Sequence, residues 1–320
     1  MSDVILEARD LRVHYRTKRG PVKAVDGVSL QLHEGETVGI VGETGCGKST
    51  LGKGILGLLP PRTEVRGSLK FRERELVGLP ASEYRRLRGE ELALIFQDPM
   101  TRLDPLMTIR DHFLETLEAH DRSISKRDAV ERATKVLRSM GIPESRLDSY
   151  PHEFSGGMRQ RIMIAMALVL NPKLVIADEP TTSLDVVVEA QILEILRNLR
   201  RAYSMSLVLI THNLGIVAEV CDRAAVMYAG KIIELGPVES VFRRPIHPYT
   251  QGLLASTIHL ETKKLHSIDG LPPSLLDPPS GCRFHPRCAW MKEVCVREEP
   301  PMVEYRPGHF AACHFGADFA

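Results

Sequence analysis

The sequence predicts an α/β fold around a mostly parallel sheet, and three observations predict it. Short β-rich runs alternate with helical patterns through residue 236, the order in which a parallel sheet acquires its covering helices. The 320 residues are 43% hydrophobic, enough to bury the core of one large or two ordinary domains, and no internal repeat points to a solenoid instead. With 26% charged residues, 24 Gly and 21 Pro, the composition is neither low-complexity nor that of a disordered chain. Forty-two Lys+Arg against 41 Asp+Glu leave a net charge of +1, so no global basic field holds nucleic acid or an anionic membrane. Partners must be recognised locally.

In chain order, residues 28–32 and 37–41 are β-rich and bounded by turn residues, and 48–58 reads as a helix. Strands are expected at 92–96, 174–177, 207–210 and 225–228, with helices at 128–140, 157–170 and 186–202. The stretch 98–140 has no convincing strand and reads as a helical insertion. Beyond Gly236 the chain turns Pro-rich, and an extension with little regular structure is expected. The longest apolar run, 162–170, is far short of the roughly 20 residues a helix needs to span a bilayer. The first ten residues lack the basic and apolar regions of a secretory signal, which makes the cytoplasm the expected address. Six cysteines in that reducing compartment are not expected to form disulfides.

Gly42-Glu43-Thr44-Gly45-Cys46-Gly47-Lys48-Ser49 matches G-x-x-x-x-G-K-[ST], directly after the apolar run 38–41 and before a helical run. Glycines let the backbone turn tightly and aim N–H groups at phosphate oxygens, and the helix N-terminus adds positive potential. Lys48 is expected to bridge the β- and γ-phosphates of a bound nucleotide, Ser49 to hold Mg²⁺, Thr50 to follow them on the helix, and Cys46 to fill a variable position. Residues 174–177 form a hydrophobic strand ending in Asp178-Glu179. Asp178 is expected at the metal, and Glu179 as the base facing the attacking water.

Phe154-Ser155-Gly156-Gly157-Met158-Arg159-Gln160 lies about 20 residues before that carboxylate pair, and here the sequence resembles the ATP-binding cassette (ABC) family. That family's signature usually has Leu first and Gln fifth; Phe154 and Met158 depart from it, while Ser155, Gly156 and Gly157, the part that meets the γ-phosphate, are kept. A Ser-capped helix start is physically true as well, and is what an anion site uses. The resemblance implies a P-loop NTPase cassette: a RecA-like sheet core at 1–97 and 167–236 with an antiparallel β subdomain, a helical subdomain at 98–166, and an irregular metal-binding extension at 237–320. It implies ATP and Mg²⁺ as cofactors and a head-to-tail dimer in which one chain's P-loop faces the other's signature. By the same resemblance Gln97 senses γ-phosphate and metal, Ser183-Leu184-Asp185 is the dimer-contacting D-loop, and His212 is the switch histidine. Tyr15 resembles the aromatic that stacks on adenine, with plain packing as the open alternative. Asp98, in the hinge, and Glu153, in the stretch that would report the partner's nucleotide state, stand beside the reading of both as solvated acids.

The string 150–161 and the later His247-Pro248-Tyr249-Thr250 are similar to the oligopeptide/dipeptide permease ATPases, a branch that also holds nickel, glutathione and some sugar importers. This implies two membrane permease subunits, an extracytoplasmic solute-binding protein, a second ATP-binding subunit favoured to be a paralogue, and a peripheral place on the cytoplasmic face of the inner membrane. An ABC protein acting on nucleic acid or ribosomes would bring tandem cassettes, a coiled coil or basic patches, and none is present. A purely regulatory cassette would need a damaged Glu179, His212 or signature.

Cys282, Cys288, Cys295 and Cys313 crowd the last 40 residues as four soft ligands on a loop-rich segment that a metal would stabilise. The C-x2-C knuckles of structural zinc are missing, whereas clusters tolerate irregular spacing. Resemblance to branch members with Gly-Cys-x-Phe-x-Pro-Arg-Cys, here residues 281–288, implies a [4Fe–4S] cluster; zinc, free thiols or a disulfide stay open, with His285, His309 and His314 as ligands only if the four-thiolate reading fails. A structural staple and redox control are both open purposes for it.

Overall fold

Two long strands open the chain. A computed structural model describes residues 3–96, 102–182, 184–256 and 268–320, and in it β1 (Val4–Thr17) and β2 (Gly20–His33) form an antiparallel hairpin. In β1 the buried residues are Ile5, Leu6 and Ala8, then Leu11 and Val13. An odd step between Ala8 and Leu11 would turn the second pair outward on a regular strand, and the register shift found between those two residues restores it to the core. β3 (Thr37–Val41) is buried throughout and leads through the P-loop into α1 (Lys48–Ile55). Next come β4 (Glu64–Phe71), β5 (Arg74–Glu75), α2 (Ala81–Glu90), β6 (Leu92–Ile95), α3 (Ile109–Glu118), α4 (Lys126–Ser139) and α5 (Gly156–Leu168). β7 (Leu174–Asp178), α6 (Val186–Tyr203), β8 (Ser206–Ile210), α7 (Leu214–Val220), β9 (Arg223–Tyr228) and β10 (Lys231–Pro237) follow. The chain ends with α8 (Val238–Arg243), α9 (Pro248–Ala255), α10 (Glu293–Arg297), β11 (Val303–Arg306) and β12 (His309–Ala311).

The chain divides into two compact units, Met1–Leu79 with Val208–Ala320, and Pro80–Leu207. In the first, β2-β1-β4-β5 make an antiparallel sheet, and a second sheet runs β11-β12-β10-β9-β3 with β8 beside β3. β3 and β9 are parallel, so each is covered on both faces and reads as a continuous apolar run. The second unit holds the parallel pair β6 and β7 and the helices α2 to α6. Between residues 102 and 173 the described residues contain helices and no strand. Among the described residues no helix is long and apolar enough to cross a membrane.

The expectation of little regular structure after residue 236 is corrected here. The segment carries three helices and two strands, and β12 pairs antiparallel with β10, Glu234 opposite Ala311 and Leu235 opposite Phe310. Proline masked this, because Pro248 is not a breaker but the first residue of α9, where its missing N–H costs nothing. β12 is too short for a period-2 pattern to show.

Candidate nucleotide-binding site

The P-loop takes its shape from its glycines. Gly42 and Gly47 have φ of 152° and 111°, and a Cβ on them would stand 2.1 Å from Met227 O and 2.0 Å from Ala24 O. Only glycine fits both the backbone angle and the space. Lys48 is buried, and its Nζ donates to Gly42 O at 2.7 Å and Glu43 O at 3.1 Å, so the loop's carbonyls curl round the ammonium. Thr44 and Gly45 are left exposed at the loop's tip. Burial pushes the Cys46 thiol up from its ordinary pKa, which suits a packing role. The Tyr15 hydroxyl donates to Thr50 Oγ1 at 3.1 Å, holding this aromatic against the first turn of α1.

His212 is exposed just past the end of β8, and Thr211 N–H donates to Ile40 O at 3.2 Å. His212 and the P-loop therefore both follow the carboxyl ends of neighbouring parallel strands, the edge at which open α/β sheets bind ligands.

In the second unit β7 delivers Asp178 and Glu179 to its carboxyl end. Glu179 has φ 49°, a strained angle for a non-glycine residue, and its carboxylate accepts from Thr182 Oγ1 at 2.7 Å. Ser155 caps α5 by accepting from Met158 N–H at 3.4 Å, with Ser155 and Gly156 exposed at the helix start. Gly157 is needed for a close approach, since a Cβ there would lie 2.5 Å from Val188 Cγ1 on α6. Asp185 caps α6, accepting from the N–H groups of Val187 at 3.1 Å and Val188 at 3.0 Å. Glu153 accepts from Tyr150 N–H and lies exposed. Gln97, Asp98 and Ser183 fall outside the described residues. A hydroxyl at Ser49 and a carboxylate at Asp178 are hard oxygen donors of the kind Mg²⁺ takes, so the donor set fits that ion.

The four cysteines of the extension, all free thiols, line one cavity of about 20 Å³ together with Phe284, His247 and Trp290. Burial pushes the Cys282 thiol up to about 11 and raises Cys288 and Cys313 as well, against a smaller opposing pull from nearby main-chain N–H groups. Among the described residues no group of three or more His, Cys, Asp or Glu side chains is one that could hold a metal ion. The expected four-cysteine metal site is therefore not formed as ligating geometry, although the four cysteines share one cavity.

Sequence reasoning missed what ties this cysteine segment to the P-loop. Arg287, next to Cys288, makes a bidentate pair with the Glu43 carboxylate at 2.7 and 3.0 Å, and that bond, above all, raises its pKa. Tyr249 Oη accepts from Glu43 N–H at 2.9 Å. Tyr249 is fully buried against Tyr228 and Phe284, with ring centroids 4.6 and 5.4 Å away. Its own helix is capped by His247, whose Nδ1 accepts from Tyr249 N–H at 3.0 Å. Burial lowers the His247 pKa to about 4, against a smaller opposing pull from Glu234, so the ring stays neutral and can cap. The only sequence signal was the recurrence of charge inside the 281–288 run, and its partner stands 244 residues away.

Comparison with known proteins agrees with this architecture. Residues 25–182 match the ABC transporter family, and residues 233–295 match the family described as oligopeptide/dipeptide transporter, C-terminal region. The chain is 46% identical to the oligopeptide transport ATP-binding protein OppD of Salmonella typhimurium, over 98% of this chain and 94% of that protein. It is 47% identical to the dipeptide transport ATP-binding protein DppD of Bacillus subtilis, over 97% of this chain and 94% of that protein. Among solved structures, cbiO1 of Clostridium perfringens, part of the ABC transporter complex cbiONQ, superposes with a TM-score of 0.65 at 28% identity, covering 76% of this chain and 92% of its own. The ATP-binding cassette MJ0796, solved as a dimer in a post-hydrolysis state with ADP and Pi, gives 0.65 at 26% identity over 73% of this chain and 98% of its own. This chain belongs to the ABC transporter family, among the oligopeptide and dipeptide transport ATP-binding proteins.

Proposed function

We propose that this chain is the ATP-hydrolysing subunit of an importer that takes up oligopeptides or dipeptides through separate permease subunits. The observation that carries the reading is the P-loop, folded round Lys48 at the carboxyl end of β3 with its tip open. Residues 42–50 hold the triphosphate, with Lys48 on its β- and γ-phosphates and Tyr15 against the adenine. Ser49, Asp178 and Gln97 would hold Mg²⁺, which when bound neutralises charge on the phosphate oxygens. Glu179 takes the proton of the attacking water, and His212 and Gln97 hold the γ-phosphate end of the site. Ser155, Gly156, Gly157 and Asp185 serve the nucleotide of a second ATP-binding subunit, favoured to be a paralogue. Because ATP binds the closed pair of cassettes better than the open pair, binding and hydrolysis move two membrane permease subunits between states. An extracytoplasmic solute-binding protein feeds them, and this chain sits on the cytoplasmic face of the membrane.

The thiolates of Cys282, Cys288, Cys295 and Cys313 would hold a [4Fe–4S] cluster, which supplies either a cross-link for the extension or one-electron chemistry. Support comes from the cavity that the four cysteines share. Nickel or glutathione import by the same machinery is not favoured, as the relatives in hand are named for peptides.

Cells deprived of this chain should lose energy-dependent uptake of a labelled oligopeptide and regain it with the wild type but not with Lys48→Ala. Peptide uptake that survives while nickel or glutathione uptake fails would transfer the assignment to that solute. Iron and sulfide at about four each per anaerobically purified chain, lost in Cys288→Ser, is the expected metal result; zinc alone would make the pocket a structural zinc site.

A further inference from the structure

Two arms run from the cysteine segment to the P-loop. The first is direct: Arg287, only 5% exposed at its side chain, grips Glu43 with both nitrogens of its fork, while Nε donates to Asp269 O at 2.9 Å. The second passes through the β9–β10 turn. Arg283 donates to Ala229 O and pairs with Asp26, and the next residue of that turn, Gly230, donates its N–H to Cys46 O at 2.8 Å. Both arginines stand between Cys282 and Cys288. Glu43 puts a carboxylate on the phosphate loop, and left unpaired it would repel the phosphates the loop is shaped to hold. Arg287 pairs that charge and fixes the carboxylate with a two-bond fork.

We propose that Arg287 is a positioning residue of the nucleotide site: by holding Glu43 it braces the P-loop and pairs a carboxylate that would otherwise repel the phosphates, so that the four-cysteine pocket and nucleotide binding are coupled. This rests on the reading of residues 42–49 as the phosphate site. The two halves of the argument separate in a charge cycle. Arg287→Gln leaves Glu43 unpaired; Glu43→Gln removes the repelling charge together with the pair.

The test measures the affinity of the assembled, anaerobically purified complex for the Mg²⁺ salt of a non-hydrolysable ATP analogue, and kcat and KM for ATP. Arg287→Gln should weaken binding about tenfold (about 1.4 kcal/mol) and raise KM with kcat kept within about twofold. Glu43→Gln, which takes only the side-chain charge from the loop, should bind the analogue more tightly than Arg287→Gln does. The double variant should recover to the affinity of Glu43→Gln, a rescue that a purely structural role for the pair would not produce. Should Arg287→Gln fail to accumulate, Arg287→Lys, which keeps the charge and loses the fork, is expected to bind about threefold more weakly. Equal affinity of either Arg287 variant and wild type overturns the brace, as does a double variant as weak as Arg287→Gln. A wild type that binds no analogue overturns the phosphate-site reading with it.

Discussion

Glu179 is held in a left-handed backbone conformation, and its carboxylate is tied to Thr182 Oγ1. The strain is worth holding only if the carboxylate must point where a relaxed backbone would not send it. Glu179→Gln keeps shape and hydrogen bond but cannot take a proton, so nucleotide binding should persist while turnover falls by about 10²–10⁴. An unchanged kcat would remove Glu179 from the chemistry. His247 gives a second residue-level prediction. It is buried and capped onto Tyr249, with the Glu234 carboxylate accepting its main-chain N–H and His309 on the far side of that carboxylate. Its pKa in the fold is about 4 against an ordinary 6.5. Above pH 6.5 neither folded nor unfolded chain is protonated there, and its stabilisation is complete. As pH falls toward 4 the unfolded chain takes up the proton and the folded one does not, so up to about 3 kcal/mol is lost, with no further loss below. Denaturant midpoints followed from pH 7 to 4 should fall less steeply in His247→Gln. Residues whose roles depend on near neighbours were legible in sequence: the Gly-rich loop and the Ser155 cap each occupy a few positions. Arg287 and Tyr249 were not, because their partner Glu43 is brought to them only by the finished fold.

At the scale of elements, helices showed themselves through period and caps. The patterns at 128–140 and 186–202 lie within two residues of α4 and α6, since their apolar faces are long and repeated. α3 lies within the stretch 98–140 expected to be helical but was given no bounds of its own, although Thr108 and Asp111 form a capping box that announces its start. β10 was missed because β9 and β10 are nearly continuous in buried apolar residues, leaving only the Ala229-Gly230 turn to part them. Asp185 offers a test at this scale, as it caps α6 and is proposed to serve the nucleotide of the partner subunit. Asp185→Ala removes two bonds from the start of α6 and should cost about 1 kcal/mol of stability, while Asp185→Asn keeps the cap. ATPase activity of the complex that falls in Asp185→Asn without loss of stability would assign the charge to the partner subunit. Activity and stability that track each other in both variants would leave Asp185 as a cap alone.

For the molecule as a whole, the extension completes the first unit. β12 covers the open side of β10, and His309 supplies Glu234, fully buried, with a hydrogen bond at 2.8 Å. A chain stopped after residue 256 loses both, and exposes an unpaired edge strand whose carboxylate, Glu234, keeps only the Ile246 and His247 N–H donors. It should aggregate or bind a hydrophobic dye where the full chain does not; a monodisperse truncation with wild-type nucleotide affinity would contradict this. The fold class was legible because parallel strands leave continuous apolar runs, whereas this closure was hidden, being made by three-residue pairings remote in sequence.

The Arg287–Glu43 pair spans 244 residues of the 320 in the chain. At bacterial rates of roughly 5–20 residues per second, the ribosome releases the P-loop on the order of 10–50 s before its brace exists. During that interval the nascent loop carries its acidic residue unpaired. The same timing makes the brace of the nucleotide loop a late product of translation, and any premature stop ahead of residue 287 yields a chain with its motifs written but its grip unmade.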